Sequence, residues 1–339
     1  MDTSNYNQSL TTQLYVVAGV LFGTYGSRVC PMLETLTTLE IFTQVSIVFV
    51  LVWLTRHFLL AKHALVEQGR FAQLDTLLFF AASVPFALYY NLSYDFTIDS
   101  NLKVLFGMSL FGFFTGTILQ LNAKLTQMDK MEASGEFDFQ LIGERSSLVK
   151  QMIGLVIVLL ITLTTMLTMV AVKDIFWLEN NPERLLDGSG KISVIKEFIY
   201  LAVVLGGYAI TIMALWSRLV KRILLSQECA LNKVTLGEPG VRLPIFGYNE
   251  LGSMASMTNI MLDSLETAQN EVKTTRDVAI VSLSALAESR DNETGAHILR
   301  TQEYVKVLAQ ELSKSETHSS LLTPNYIELL YKSAPLHDV

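Results

Sequence analysis

Six apolar stretches of near-spanning length divide the first two thirds of the chain. They run over roughly Leu14 to Val29, Ile41 to Leu60, Leu77 to Leu92, Val104 to Leu121, Met152 to Val172 and Phe198 to Leu215. A helix needs about 20 apolar residues to cross a bilayer core, so the first and third stretches are the shortest fits. The fifth is almost wholly aliphatic apart from Thr162, Thr164 and Thr165. Beyond Trp216 the pattern becomes amphipathic. Leu219, Ile223, Leu224 and Leu231 form one apolar stripe, and Leu236-Gly237-Glu238-Pro239-Gly240 interrupts it. A second stripe begins at Leu251 and continues through Met254, Thr258, Met261, Leu265, Ala268 and Val272. Its alternating steps of three and four predict a coiled-coil seam.

The pattern predicts an all-α protein. It comprises a six-helix membrane domain over residues 1–216, a helical relay over 217–270 and a further helical segment over 271–339. Loop charges orient the spans. Arg56, Lys62 and Arg70 follow the second stretch, Lys124, Lys130, Arg145 and Lys150 the fourth, and Arg218, Lys221 and Arg222 the sixth. The positive-inside rule puts these segments and both termini in the cytoplasm. A connection of roughly 25 residues between the fifth and sixth stretches is then the longest external loop, too short for a folded sensor domain.

Composition narrows the class. Half of the 339 residues are hydrophobic, only 17% are charged and the formal net charge is −7. This balance fits a multi-span membrane protein and argues against a nucleic-acid partner. Met1 to Thr12 carries no Lys or Arg, so it lacks the basic opening of a cleaved signal peptide. Cys30 and Cys229 fall on opposite sides of the predicted membrane, so no disulfide is expected between them. No ionisable residue falls at the centre of a span, which disfavours a transporter. Tyr89 and Tyr90 read as interface anchors. Gly107, Gly112, Gly116 and the pair Gly206-Gly207 read as sites of close helix packing.

Two families are legible in the last hundred residues. Arg242-Leu243-Pro244 and Asn249-Glu250-Leu251-Gly252, followed by the Met-rich stripe, resemble a HAMP domain, although the proline usual in the first HAMP helix is absent. Pro244, Glu250, Gly252, Met254, Met261 and Leu265 are its expected relay residues, and the seam implies a parallel homodimer. Farther on, Arg290-Asp291-Asn292-Glu293-Thr294-Gly295-Ala296-His297-Ile298-Leu299-Arg300 precedes Leu336-His337-Asp338-Val339. The two strings, in this order, resemble the opening of an HD-GYP phosphodiesterase domain, so the last segment is expected to hold the first helices of an HD-type all-α domain.

The HD-GYP resemblance implies that Glu293, His297, His337 and Asp338 are metal ligands, with Asp338 bridging two ions. It implies iron or manganese as cofactor and cyclic di-GMP as substrate. Arg300 is a lesser candidate for substrate phosphate. The family's catalytic and remaining ligand residues are expected beyond residue 339. The chain alone is therefore expected to be incomplete, inactive and a weak metal binder. The expected location is the bacterial inner membrane. The alternative reading is a non-enzymatic membrane protein that signals by dimerising.

Overall fold

The computed structural model describes residues 8–29, 36–62, 71–96, 98–134, 147–238, 240–291, 297–315 and 317–336. Its elements are helical, with no strand among the described residues. The chain forms two compact units, Met1–Ser256 and Met257–Val339.

The first unit contains α1 (Gln8–Thr24), which passes into a π-helical turn at Tyr25–Val29, α2 (Thr38–Lys62), α3 (Phe71–Tyr94), α4 (Ile98–Ser134), α5 (Leu148–Asn180), the short α6 (Pro182–Leu186) and α7 (Ser189–Thr235). α8 (Glu250–Asp291) begins in this unit and continues into the second, which adds α9 (His297–Leu312) and α10 (Pro324–Ser333).

Five helices among the described residues are long and apolar enough to cross a membrane: α2, α3, α4, α5 and α7. The sequence pattern predicts six. The first stretch becomes α1, only 17 residues long, before the π turn. The 25-residue external loop is also corrected. α5 runs to Asn180 and α7 starts at Ser189, so helix occupies most of that interval. Pro182 fits the first turn of α6, where the missing N–H costs no helical bond. Gly188 adopts a left-handed φ of 79° at the start of α7.

Two apolar clusters hold the bundle. One joins α4, α5 and α7 through Leu110, Phe114, Met166, Val170, Leu205 and Ile212. The other joins α1, α2, α3 and α4 through Tyr15, Ile41, Phe49, Phe79 and Met108. Outward-facing Ile153, Ile157, Leu160 and Ile161 on α5 are exposed, the arrangement expected of a helix solvated by lipid.

Close packing of α3 on α4 depends on two glycines. A Cβ at Gly112 would lie 2.6 Å from the Asp75 carbonyl oxygen, and one at Gly116 2.7 Å from that of Phe71. The expectation of close packing holds here. It fails at Gly206 and Gly207, where a Cβ would meet nothing within 4 Å.

Arg56 is corrected as well. Its side chain is not a loop charge but is fully buried in α2. Its Nε donates to Asp75 Oδ1 of α3 at 2.5 Å, and Tyr15 of α1 donates to the same oxygen at 3.1 Å. The carboxylate thereby ties three helices together. Tyr90 is likewise buried, its hydroxyl donating to Gln44 Oε1 at 2.6 Å, whereas Tyr89 is exposed.

Candidate functional site

The connector to α8 begins where α7 ends. Gly237 and Gly240 take left-handed φ values of 80° and 72°, a conformation open to glycine at little cost. The connector then runs without regular structure to Asn249, burying Leu243 and Ile245. Asn249 Oδ1 accepts from the Gly252 backbone N–H at 2.9 Å and so caps α8. Gly252 is fixed by space: a Cβ there would lie 2.0 Å from the Gly247 carbonyl oxygen.

Two contacts join this start of α8 to the bundle. Gln227 Nε2 of α7 donates to the Leu251 carbonyl at 3.1 Å. Glu250 Oε2 accepts from the backbone N–H of Leu148, the first residue of α5, at 2.7 Å. Ser147 caps the next turn of that helix by accepting from Lys150 N–H at 3.1 Å. A carboxylate at a helix N-terminus also meets the positive end of the helix dipole. Glu250 is thus held by α5, a role that its position in a motif did not disclose.

Along α8 the chain buries Gly252, Ala255, Asn259 and Leu262. Of the predicted seam, Met254, Met261, Leu265 and Val272 are exposed. Met257 and Ile260, exposed beside them, widen the apolar strip beyond the sequence-predicted seam.

In the second unit, α9 and α10 pack around Ile298, Ala309, Leu322 and Pro335. Thr323 caps α10 by accepting from Tyr326 N–H at 3.3 Å. The Tyr331 hydroxyl donates to Glu303 Oε1 at 3.1 Å, and Lys306 Nζ lies 4.8 Å from the Tyr331 ring centre. Lys332 bridges Glu328 at 2.8 Å and Asp277 of α8 at 3.3 Å. The hydrogen bond from Lys332 holds the Glu328 carboxyl below its ordinary range and lifts the Lys332 ammonium above its own.

Of the four expected metal ligands, the structure places only His297, the first residue of α9. Glu293, His337 and Asp338 lie outside the described residues. No group of three or more His, Cys, Asp or Glu residues suited to a metal occurs among the described residues. Arg300 is an exposed residue one turn along α9. Of the cysteines, Cys229 is a free, exposed thiol, and Cys30 lies outside the described residues.

The sequence pattern misses a buried ionic cluster at the end of the bundle remote from the connector. Lys103 of α4, Lys173 and Asp174 of α5 and Glu197 of α7 are each less than a tenth exposed. All four lie within helices. Lys173 Nζ lies 3.3 Å from Asp174 and 3.7 Å from Glu197, and Lys103 Nζ lies 3.9 Å from Glu197. The Tyr25 hydroxyl donates to Glu197 Oε1. The signal was the short spacing of Lys173, Asp174 and Glu197 from the aliphatic runs, which lets helix continue through them.

Five long apolar helices, with charges buried at one end of the bundle, have the character of a membrane domain. The MASE10 family model matches residues 14–200, more than half of the chain, and the protein belongs to this family of sensor domains. It is 64% identical to a cyclic di-GMP phosphodiesterase of Vibrio cholerae serotype O1 over 339 residues, covering all of this chain and 69% of that protein. A second protein of the same organism, a probable cyclic di-GMP phosphodiesterase, is 46% identical over 81 residues, or 23% of this chain and 18% of that protein. No solved structure matches the chain.

Proposed function

We propose that this protein is a membrane-anchored signalling protein that controls hydrolysis of cyclic di-GMP. The observation that carries this reading is identity of 64% along the whole chain to the Vibrio phosphodiesterase. The string Arg290 to Arg300 and the later Leu336-His337-Asp338-Val339 agree with it, since both resemble the HD-GYP domain.

In this reading α1 completes a six-span bundle, with both termini in the cytoplasm of the inner membrane. The segment over 217–270 works as a HAMP-like relay through Pro244, Glu250, Gly252, Met254, Met261 and Leu265. The exposed apolar strip on α8 supports a parallel homodimer, because a face this narrow is buried only by a partner helix.

Glu293, His297, His337 and Asp338 would hold divalent metal. Two imidazoles and two carboxylates suit iron or manganese, and such ions lower the pKa of bound water and neutralise phosphate charge. Arg300, on the exposed face of α9, would meet a substrate phosphate.

Hydrolysis demands more ligands than these four, because ions of this class take about six. The purified 339-residue chain should therefore show no measurable cyclic di-GMP turnover. A chimera carrying the part of the Vibrio relative that the chain does not cover should turn over, and His337→Ala should abolish that activity. Turnover by the 339-residue chain, lost on Glu293→Ala, would overturn the ligand count. An inactive chimera would favour a non-enzymatic, dimerising signal protein.

A further inference from the structure

A groove of about 820 Å³ opens between α4 and α7 at the end of the bundle that bears the connector, all within the first unit. Asn122, Leu125 and Asp129 line it from α4, and Arg218, Lys221 and Leu225 from α7. Each set steps by three and four, so each wall is one helix face. The connector closes a third side with Val241, Arg242 and Pro244. The groove starts where two apolar runs stop. Asn122 directly follows the run that ends at Leu121, and Arg218 is the first cation after the run that ends at Leu215.

Charge in the groove is uneven. Arg222 holds both carboxylates of the α4 wall, 2.7 Å from Asp129 and 2.8 Å from Glu132. Arg242 is engaged too, its Nη1 donating to the Val241 carbonyl at 2.9 Å. By contrast, Arg218, Lys221 and Lys233 enter no ion pair or side-chain hydrogen bond among the described residues, and neither does the side-chain amide of Asn122. Even with Arg242 set aside, the described wall residues carry Arg218, Lys221, Arg222 and Lys233 against Asp129 and Glu132. A cleft lined by one sign of charge between low-dielectric walls concentrates its field on the opposite sign. Basic pockets between membrane helices suit anionic head groups for this reason.

We propose that the membrane-side end of this groove binds the phosphate of an anionic phospholipid, held by Arg218, Lys221 and the Asn122 amide. Depth selects a lipid over a soluble anion. The head-group layer of one leaflet is roughly 5–7 Å deep. Arg218 and Lys221 are about 4.5 Å apart along the helix, within that layer, whereas Lys233 stands about 22 Å beyond Arg218 and outside it. Residue chemistry selects phosphate. A guanidinium offers it a planar pair of donors, and the ammonium and amide add further N–H groups. Charge selects an anionic lipid over a zwitterionic one. A choline or ethanolamine head brings its own cation, and the carboxylates that would receive it, Asp129 and Glu132, are already paired with Arg222.

The inference rests on the reading of the bundle as membrane-spanning and does not involve phosphodiesterase activity. Its test counts bound lipid and needs no catalytic step. The full chain in mild detergent is titrated with phosphatidylglycerol, phosphatidylcholine or inorganic phosphate, and native mass spectrometry reads the occupancy. Phosphatidylglycerol should saturate one site about tenfold more tightly than phosphatidylcholine, and Arg218→Gln/Lys221→Gln should abolish that preference. Both side chains are exposed, so their replacement leaves the packing intact. Asn122→Leu, which keeps every charge, should weaken phosphatidylglycerol several-fold, and Lys233→Gln should leave it unchanged. Equal loss in Lys233→Gln with none in Asn122→Leu would mean diffuse attraction and would overturn the site. Equal binding of the two lipids would overturn the anionic head group. Displacement of phosphatidylglycerol by an equal concentration of inorganic phosphate would overturn the lipid as occupant. The membrane reading is judged apart, by reconstitution: a chain that stays out of liposomes removes that reading, whereas one that inserts and binds both lipids alike removes only the site.

Discussion

Glu250 Oε2 accepts a hydrogen bond from the backbone N–H of Leu148 at 2.7 Å, so the first residue of α8 caps the long apolar helix α5. The two residues are 102 positions apart, and the bond joins the helix that carries Lys173 and Asp174 to the helix that carries the apolar seam. Removing a capping side chain costs about 0.5–2 kcal/mol. Glu250→Ala should therefore lower the melting temperature modestly and speed amide exchange at Leu148, while Glu250→Gln, which keeps an acceptor, should lie between. Unchanged exchange at Leu148 in Glu250→Ala would remove this link.

Gly252 sharpens the same point. Gly→Ala inside a helix normally gains up to about 1 kcal/mol. Here the new Cβ would lie 2.0 Å from the Gly247 carbonyl oxygen, a backbone atom that cannot swing aside. Overpacking of this kind costs about 1–3 kcal/mol, so Gly252→Ala should destabilise. Gly116→Ala should do likewise against α3, where the obstacle is the Phe71 carbonyl at 2.7 Å. Gly206→Ala, with nothing within 4 Å, should be neutral or slightly stabilising. Thermal melts of the three variants in one detergent distinguish these signs.

Arg56 and Asp75 are both fully buried, and their bond joins α2 to α3. Breaking a buried pair by deleting one partner costs about 3–5 kcal/mol, whereas replacing both by apolar groups is often neutral. Arg56→Met should therefore be severely destabilising and the double variant Arg56→Met/Asp75→Leu much less so. A double variant at least as unstable as Arg56→Met would show that the pair is worth more than its desolvation costs. Chemical denaturation in mixed micelles measures both.

The second unit has a pH dependence with a definite sign. Lys332 holds Glu328 below its unfolded pKa of about 4.3. The contribution is present above that value and is lost as pH falls through the lower folded one. Lys332 itself is raised above about 10.4, so its contribution is full below that value and lost as pH rises through the higher folded one. The difference in melting temperature between the native chain and Lys332→Met should accordingly be flat from about pH 5 to 10 and shrink toward acid below the carboxylate range. A difference independent of pH down to pH 2 would mean that the ion pair contributes nothing.

Long apolar runs announced α2, α4, α5 and α7 because hydropathy depends on composition, which a sequence displays directly. The helical ends did not show. Arg56 reads as a loop residue because a charge normally stays in water, and only tertiary pairing with Asp75 lets helix absorb it. The glycines show the same limit. Gly116 and Gly206 look alike in sequence, yet one faces backbone and the other open space. Between α7 and α8, Gly237 and Gly240 were legible as local turn chemistry. The partner of Glu250 was not, since nothing in the sequence couples residue 250 to residue 148.

The seam on α8 supplies the last prediction. Met254, Met261 and Leu265 are each more than half exposed and share one side of the helix with Met257. In water, such a strip gains roughly 25 cal/mol for each Å² it buries, and a second copy in parallel offers an identical strip at the same height. With Cys30→Ser and Cys229→Ser removing the native thiols, a cysteine replacing Met261 should cross-link to its twin under mild oxidation. Replacing Ala255, which is fully buried within the chain, should give no cross-link. Cross-linking at Met254, Met261 and Leu265 but not at residues on the opposite side fixes a parallel pair in register. Failure at every position from Met254 to Leu265 would rule out the seam as an interface.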